Sequence, residues 1–487
     1  MLLASILAVL LSLAAPALAS YGIYVGRNLT EDGSVFLGGS GDEVSSHWLE
    51  IVPAKEHPPG TTITVGMDSS AFLPGELTEI PQVARTARYL TMNYTEFEGL
   101  PPPLTNGGLN EHGVAGRDIW MDSRPELIAM TPNPQRGPNY SDLSRIAMER
   151  ATSAEQAVEI IGELIDTHGY STYGGDSHMF ADAREGWVLL DLAGGQGLWV
   201  ARRLGPDEVV MFYPGYIGNI PDDYATHPDY RGSDNLISFA VEQGWYDPDA
   251  GKPFNVTDVY GTPEIRFPRT EMEHELKAAA PLSLRDMLDA VRDPRISKDS
   301  TGYGQVAQLT DEPLTDLRTL WIAATGSVTT PFVPYRIGVD SIPPEFGKHR
   351  YLTKDEARGF VTVDWQMQEA TLFAGRLFKR LMYYTCERPE KFLPEVNEAI
   401  TAFENRMIDD SDELETIVRT LYADDKADLG RRVLTEYSHN QAEEALELGA
   451  ALLASIEART KVLYGIRAPE TDTMSELDYQ MVTCRGK

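Results

Sequence analysis

The feature that most constrains this chain is the alternation of two blocks of short β-type runs with amphipathic helical segments. From Ser20 to about Val65, "YGIYVG", "EDGSVFLGG", "HWLEIVP" and "TTITVGM" are β-rich runs cut by Gly, Asp and Pro, which predicts a meander. "YSDLSRIAMERATSAEQAVEIIGELIDTHG" then repeats apolar residues at three- and four-residue spacing, with Ser153 and Gln156 set as a capping-box start. A second block holds "SHMFADA", "GWVLLDLAG", "LWVARRL" and "VVMFYPG". After a helix in "DNLISFAVEQGW", strands return in "LRTLWIAA" and "TTPFVPYRIG", and from Lys354 to about Leu463 the pattern is mainly helical. Two β blocks with helices between and after them predict a layered α+β sandwich, and neither an internal repeat nor a Gly-rich linker divides it.

The first nineteen residues, "MLLASILAVLLSLAAPALA", are apolar and uncharged, and Pro16 precedes the small-x-small triplet Ala17-Leu18-Ala19. This is the pattern of a secretory signal cleaved after Ala19, which places the mature chain outside the cytoplasm, secreted or periplasmic. No Lys or Arg precedes the run, and its length also suits an uncleaved membrane anchor, so that reading stays open.

Against 42 Lys and Arg stand 74 Asp and Glu, a formal charge of −32 spread along the chain. Such a field repels nucleic-acid and membrane phosphates, so neither nucleic acid nor a stable membrane contact after signal cleavage is expected. It fits a solvated acidic surface, and homo-oligomerisation stays open. The two cysteines, Cys386 and Cys484, lie outside any CxxC motif; they could pair in an oxidising compartment, but do not make a disulfide scaffold. HExxH, Walker A and GxSxG patterns are all missing, and "GGSGDE" at 38–43 lacks the strand-to-helix context of a dinucleotide fingerprint. No metal or organic cofactor is implied.

The junction itself carries chemistry. Cleavage after Ala19 would make Ser20 the first residue, placing a hydroxyl and a free α-amine on one residue. An α-amine with a pKa of about 7.7–8.0 is partly free base near neutral pH and can take the proton of its own hydroxyl. Ser is also a common small residue after a signal-peptidase site, so the junction alone does not decide the matter.

The residues that follow do more. "SYGIYVGRNLTEDGS" resembles the amino terminus of peptidase family C69, dipeptidases of the N-terminal-nucleophile (Ntn) hydrolases, whose members typically read Cys, an aliphatic strand, Val-Gly-Lys and Asp-Gly-Ser. Ser20 stands in the Cys position, Val25-Gly26-Arg27 in that of Val-Gly-Lys, and Asp32-Gly33-Ser34 closes the pattern. "GGLNEHGVA", "GWVLLDLAGGQGLWVARRLGPDEVV", "NLISFAVEQGWYDP" and "LWIAATGSVTTPFVPYRIGVDSIPPEF" have counterparts in the same order.

The resemblance implies an Ntn-type four-layer αββα sandwich with additional C-terminal helices. Residues 1–19 would be the signal, 20–350 the catalytic domain, and 351–487 a helical part packed on it. It also implies a dipeptidase acting on short peptides, with Ser20 as nucleophile and its amine as general base. Asp42 is similar to an Asp that orients the nucleophile in related enzymes, although an exposed turn Asp reads the same way. Asn110 and Asn219 are the candidate oxyanion donors, Asn219 standing a few residues from Gly215, which aligns with the family's Asn. Arg117 and Asp118 could hold the substrate's carboxylate and amine, and Arg266 and Arg269 compete for the carboxylate. Gly39 occupies the place of a family Arg. Two rivals remain: an N-acyl amide hydrolase of the same superfamily, and a secreted binding protein that kept the fold and lost the chemistry.

Overall fold

The computed structural model describes residues 20–41, 47–94, 99–102, 104–212, 217–262, 269–298, 300–349, 372–465 and 484. The expected opening strands form, but they are divided among three sheets, the run at Thr62–Val65 pairing apart with Thr78–Pro81. β1 (Tyr21–Val25) and β2 (Val35–Gly41) make an antiparallel hairpin in which Tyr21 faces Ser40 and Gly22 faces Gly39. β3 (His47–Val52) instead opens the other sheet, with β4 (Tyr89–Tyr94), β5 (Gly107–Asn110) and β6 (Ala115–Trp120). That sheet continues through β7 (Gly175–Ala181), β8 (Gly186–Leu192) and β9 (Trp199–Leu204). β10 (Val209–Phe212) returns to pair with β1, whereas β11 (Tyr230–Gly232) pairs with β9.

β12 (Tyr303–Leu309), β13 (Thr319–Ala323) and β14 (Val333–Arg336) complete a six-stranded sheet in the order β10-β1-β2-β12-β13-β14. The nine-stranded sheet runs β11-β9-β8-β7-β6-β5-β4-β3, with the short strand Leu104–Thr105 paired to β4.

Strand alternation assigns the faces. Tyr21, Ile23 and Val25 point outward, under α3 (Arg269–Ala279), α4 (Leu284–Val291) and part of α6 (Pro389–Ala423). Tyr24, Val35 and Leu37 point inward with Ile119, Met179, Val188 and Leu190 of the other sheet, forming the inter-sheet core. On the far side, Phe180, Trp187, Leu189 and Trp199 are covered by α1 (Tyr140–Arg150) and α2 (Ala154–His168). The result is four layers, helix, sheet, sheet, helix, and each fully buried large apolar side chain contributes about 1.5–3 kcal/mol.

Caps set the helix starts. Ser153 accepts from the Gln156 amide as expected, but the Gln156 side chain turns to the Thr152 amide, so the box is not reciprocal. Full boxes occur at Asn139 with Asp142 and at Ser283 with Asp286. The sequence reading passed over the second, the start of α4, although its Ser-x-x-Asp spacing is the usual signal.

α5 (Ala374–Cys386), α6 and α7 (Ala427–Tyr464) form the helical C-terminal part, with α7 packed against β14. α6 is pinned by Glu404, which is wholly buried and accepts from Arg285 at 2.6 Å, from Arg292 at 2.5 and 3.0 Å, and from the Phe332 amide at 2.7 Å. Cys386, at the end of α5, forms a disulfide with Cys484, resolving the pairing that the sequence left open. Among the described residues, no helix is long and apolar enough to cross a membrane.

Candidate active site

Ser20 lies immediately before β1 and is 4% exposed. Its parity with Gly22 and Tyr24 turns its side chain toward the opposite sheet. Tyr21 faces the other way and fixes the strand end by donating its hydroxyl to the Val291 carbonyl at 2.7 Å. Gly22 leaves no room for a side chain, because a Cβ there would sit 2.5 Å from Met179 Sδ and 3.2 Å from Ile119 Cδ1. The start of β1 is thereby held against Ile119 near the end of β6 and Met179 of β7.

The strand registers bring several ends to this place. The end of β2, the starts of β12, β3 and β5, and the ends of β4 and β6 all lie on the Ser20 side of the sandwich. His47 stands between the rings of Tyr94, 5.3 Å away, and Tyr303, 5.1 Å away. Arg117 crosses from β6 to donate to the Ser40 carbonyl and the Tyr303 hydroxyl. It thus grips the residue that pairs with Tyr21, one position from the candidate nucleophile.

That geometry corrects the expectation for Arg117 and Asp118. Arg117 directs its fork at a backbone carbonyl and a phenol, and Asp118 lies 4.0 Å from the guanidinium as an internal counter-charge. A pair engaged with the protein in this way fits strand positioning rather than capture of a substrate's two termini. Gly39 also explains itself. Its φ of +155° disfavours an L side chain, and a Cβ would collide with the Tyr21 carbonyl oxygen. An Arg has no space at this position, and the guanidinium beside the β1–β2 end is that of Arg117, from the opposite sheet.

Of the two candidate oxyanion donors, Asn110 is not brought to Ser20, and Asn219 lies in a small ribbon of its own. Asn110 ends β5 at the opposite end of the sandwich, and its amide is fully used. Nδ2 donates to the Met148 and Ala151 carbonyls at 3.2 and 2.8 Å, while Oδ1 accepts from the His112 and Val114 amides, both at 3.0 Å. Its role is to fix a turn against α1, as an Asn before a Gly-containing turn commonly does. Asn219 is exposed, and its Oδ1 accepts from Asn255 Nδ2 at 2.9 Å in a separate two-stranded ribbon. Asp42, Arg266 and Gly215 lie outside the described residues. Arg269 opens α3, and its side chain lies outside the description as well.

A second polar set has the residue types of an acyl-transfer triad. His178 Nδ1 lies 3.3 Å from Ser144 Oγ, and its Nε2 lies 3.4 Å from Asp191 Oδ2. All three side chains are enclosed beneath α1, so the set is a structural network with no access for substrate. A cavity of about 660 Å³ opens at the far end of the six-stranded sheet between Glu31, Gln308, Arg318, Arg336, Asp412 and Glu415. It lies at the other end of the strands from Ser20.

The chain is 27% identical over 251 residues to the protein named Probable dipeptidase B of Lactococcus lactis subsp. lactis (strain IL1403), covering 50% of this chain and 49% of that protein. It is 29% identical over 170 residues to the Probable dipeptidase of Salmonella dublin, covering 33% and 37%. The chain therefore spans half or less of the length of these relatives. Among solved structures, a mutant conjugated bile acid hydrolase from Clostridium perfringens matches with a TM-score of 0.36 and 10% identity, over 71% of this chain and 99% of that one. The family model for peptidase family C69 matches residues 20–267, starting at Ser20 itself and covering half of the sequence, and the chain belongs to that family.

Proposed function

We propose that this protein is an exported hydrolase of short peptides, most simply a dipeptidase, that works through Ser20 as an N-terminal nucleophile. The observation that carries the reading is the position of Ser20: it begins the family match, immediately follows an apolar leader, and turns its side chain into the space between the sheets. Two curated relatives bear dipeptidase names. The Cys386–Cys484 disulfide supports an oxidising destination for the chain.

Once the leader is removed, the Ser20 α-amine accepts the hydroxyl proton as Oγ bonds to the scissile carbonyl carbon. The tetrahedral oxyanion collapses as the C–N bond breaks, and the α-ammonium returns the proton to the leaving nitrogen. Water then adds to the ester, the amine again taking a proton, and Oγ leaves as the free hydroxyl. Arg117 contributes by holding Ser40, the ladder partner of Tyr21, so that the strand end cannot swing away from the reacting carbonyl.

The test is a chain that begins with a retained Met before Ser20, compared with one that begins at Ser20, each terminus verified by mass. The capped form keeps the hydroxyl but converts the amine to an amide, so it should lose at least about a thousandfold in kcat/KM on a dipeptide mixture, as should Ser20→Ala. Ser20→Cys with a free terminus should remain active. Full activity in the Met-capped chain would exclude the amine as base.

A further inference from the structure

The cavity at the far end of the six-stranded sheet, about 660 Å³, has the size usual for a small-molecule site, roughly 300–1,000 Å³. α6 lines it with Ile408, Ser411, Asp412 and Glu415, which the i, i+3, i+4 and i+7 spacing puts on one face of the helix. Met407, Leu414 and Val418 beside them are buried. A helix row turned toward a sheet is ordinarily apolar, so the three polar residues here face a space that the protein's own side chains do not fill.

Arg336 lines this space and is 1% exposed. Val333 and Tyr335 of β14 turn into the inter-sheet core, which sends Arg336 to the outer face of the sheet, toward α6 and α7. Its Nη2 donates to Ser411 Oγ at 3.2 Å, and the Tyr437 ring of α7 covers one side at 5.6 Å. Nε and Nη1 find no acceptor among the described residues. α6 treats another buried arginine differently. Two turns earlier on the same face, Glu404 gives Arg292 its carboxylate, at 2.5 and 3.0 Å. Seven residues on, the corresponding position is Ser411, which supplies a hydroxyl and no charge. A buried guanidinium without its anion is costly, and a carboxylate entering from the cavity would complete it as Glu404 completes Arg292.

The mouth carries the opposite charge. Glu31, Asp409 and Asp412 are exposed around it. Glu415 is held by Arg419 at 3.2 Å, and Arg318, the cavity's other cation, donates to the Glu111 and Glu312 carbonyls. A lone anion is repelled by the rim and a lone cation by the guanidinium, whereas a molecule carrying both charges is favoured at both ends.

We propose that this cavity binds a small zwitterion, an amino acid or short peptide, with its carboxylate on Arg336 and an ammonium group among the rim carboxylates. The site is separate from Ser20, and its occupancy does not depend on the hydrolase reading.

Calorimetry on the intact chain with 6-aminohexanoate, hexanoate and hexylammonium tests this without turnover, since none of the three has a peptide bond. Aminohexanoate should bind saturably and at least about tenfold more tightly than either singly charged analogue. Arg336→Met should abolish that binding, and Arg336→Lys should restore it only in part because the fork is lost. Asp409→Asn combined with Asp412→Asn should bring the zwitterion down to the level of hexanoate. Both aspartates are exposed, so this second variant reports on the site even if Arg336→Met fails to fold.

Thermal melting gives an independent readout. Aminohexanoate should raise the melting temperature of the parent, because it binds the folded chain alone, and leave that of Arg336→Met unmoved. No saturable binding of the zwitterion, a singly charged analogue bound as tightly, or affinity untouched by the variants at Arg336 and at the two aspartates would each overturn the proposal.

Discussion

Each end of the sandwich holds a buried arginine, and the two are used differently. At the Ser20 end, Arg117 donates to the Ser40 carbonyl and the Tyr303 hydroxyl, both on strands of the facing sheet. At the far end, Arg336 of β14 donates to Ser411 of α6 at 3.2 Å and lies 5.6 Å over the Tyr437 ring of α7, with Glu415 as a distant counter-charge. Its Nε and Nη1 find no acceptor among the described residues, and burial pulls its pKa below the ordinary value. The first guanidinium ties the two sheets together beside Ser20, while the second ties helices to a sheet edge. Equal burial thus does not mean an equal place in the fold: what differs is which elements the bonded partners belong to.

The largest effect expected on this comparison comes from the charge that holds α6 between the two ends. Glu404→Ala leaves Arg285 and Arg292 without their shared carboxylate and should cost about 3–5 kcal/mol in denaturant unfolding. The protein that still folds should keep near-parental kcat, and a stability change under about 1 kcal/mol would show that the network is worth little.

Next is Arg117→Met, expected to lower kcat/KM about a hundredfold through misplacement of the β1–β2 end, with Arg117→Lys only partly rescuing because the fork is lost. If Arg117→Met lowers the melting temperature but leaves kcat/KM alone, the contrast between the two arginines collapses. Replacing the disulfide by Cys386→Ser with Cys484→Ser should cost about 2–4 kcal/mol, since it closes a loop spanning 98 positions. Unchanged stability in the double variant would mean that the bond is not formed in solution. The smallest effect is expected from Arg336→Met. A hydrophobic side chain of similar volume at a poorly paired buried charge should be neutral or stabilising by about 1–4 kcal/mol, with turnover unaltered. A loss of turnover there would make the far-end cavity part of the active site.

Local chemistry in the sequence was legible where it is short-range. The β1–β2 hairpin, the Ser153 cap and the helices after Ala374 depend on period and spacing within a few residues. Asn110 shows where such reading fails. Its motif position suggested an oxyanion donor, yet all four of its amide valences are taken by a turn and by α1, partners 38 and 41 residues away in two of the four cases. Asn219 is exposed in a two-stranded ribbon, a placement that its proximity to Gly215 in sequence does not reveal.

By itself, then, the sequence determined the strand and helix periods, the acidic balance and the apolar run that opens the chain. Each is written in covalent order and needs no distant partner. Only the tertiary structure decided that consecutive β1, β2 and β3 would part between two sheets, that Gly39 would have no room for a side chain, and that Arg117 would reach across to Ser40 and Tyr303 of the facing sheet. Those outcomes follow from non-local pairing register, where a shift of one residue turns every side chain to the other face, so the energies that select them belong to contacts between segments and not to any segment alone.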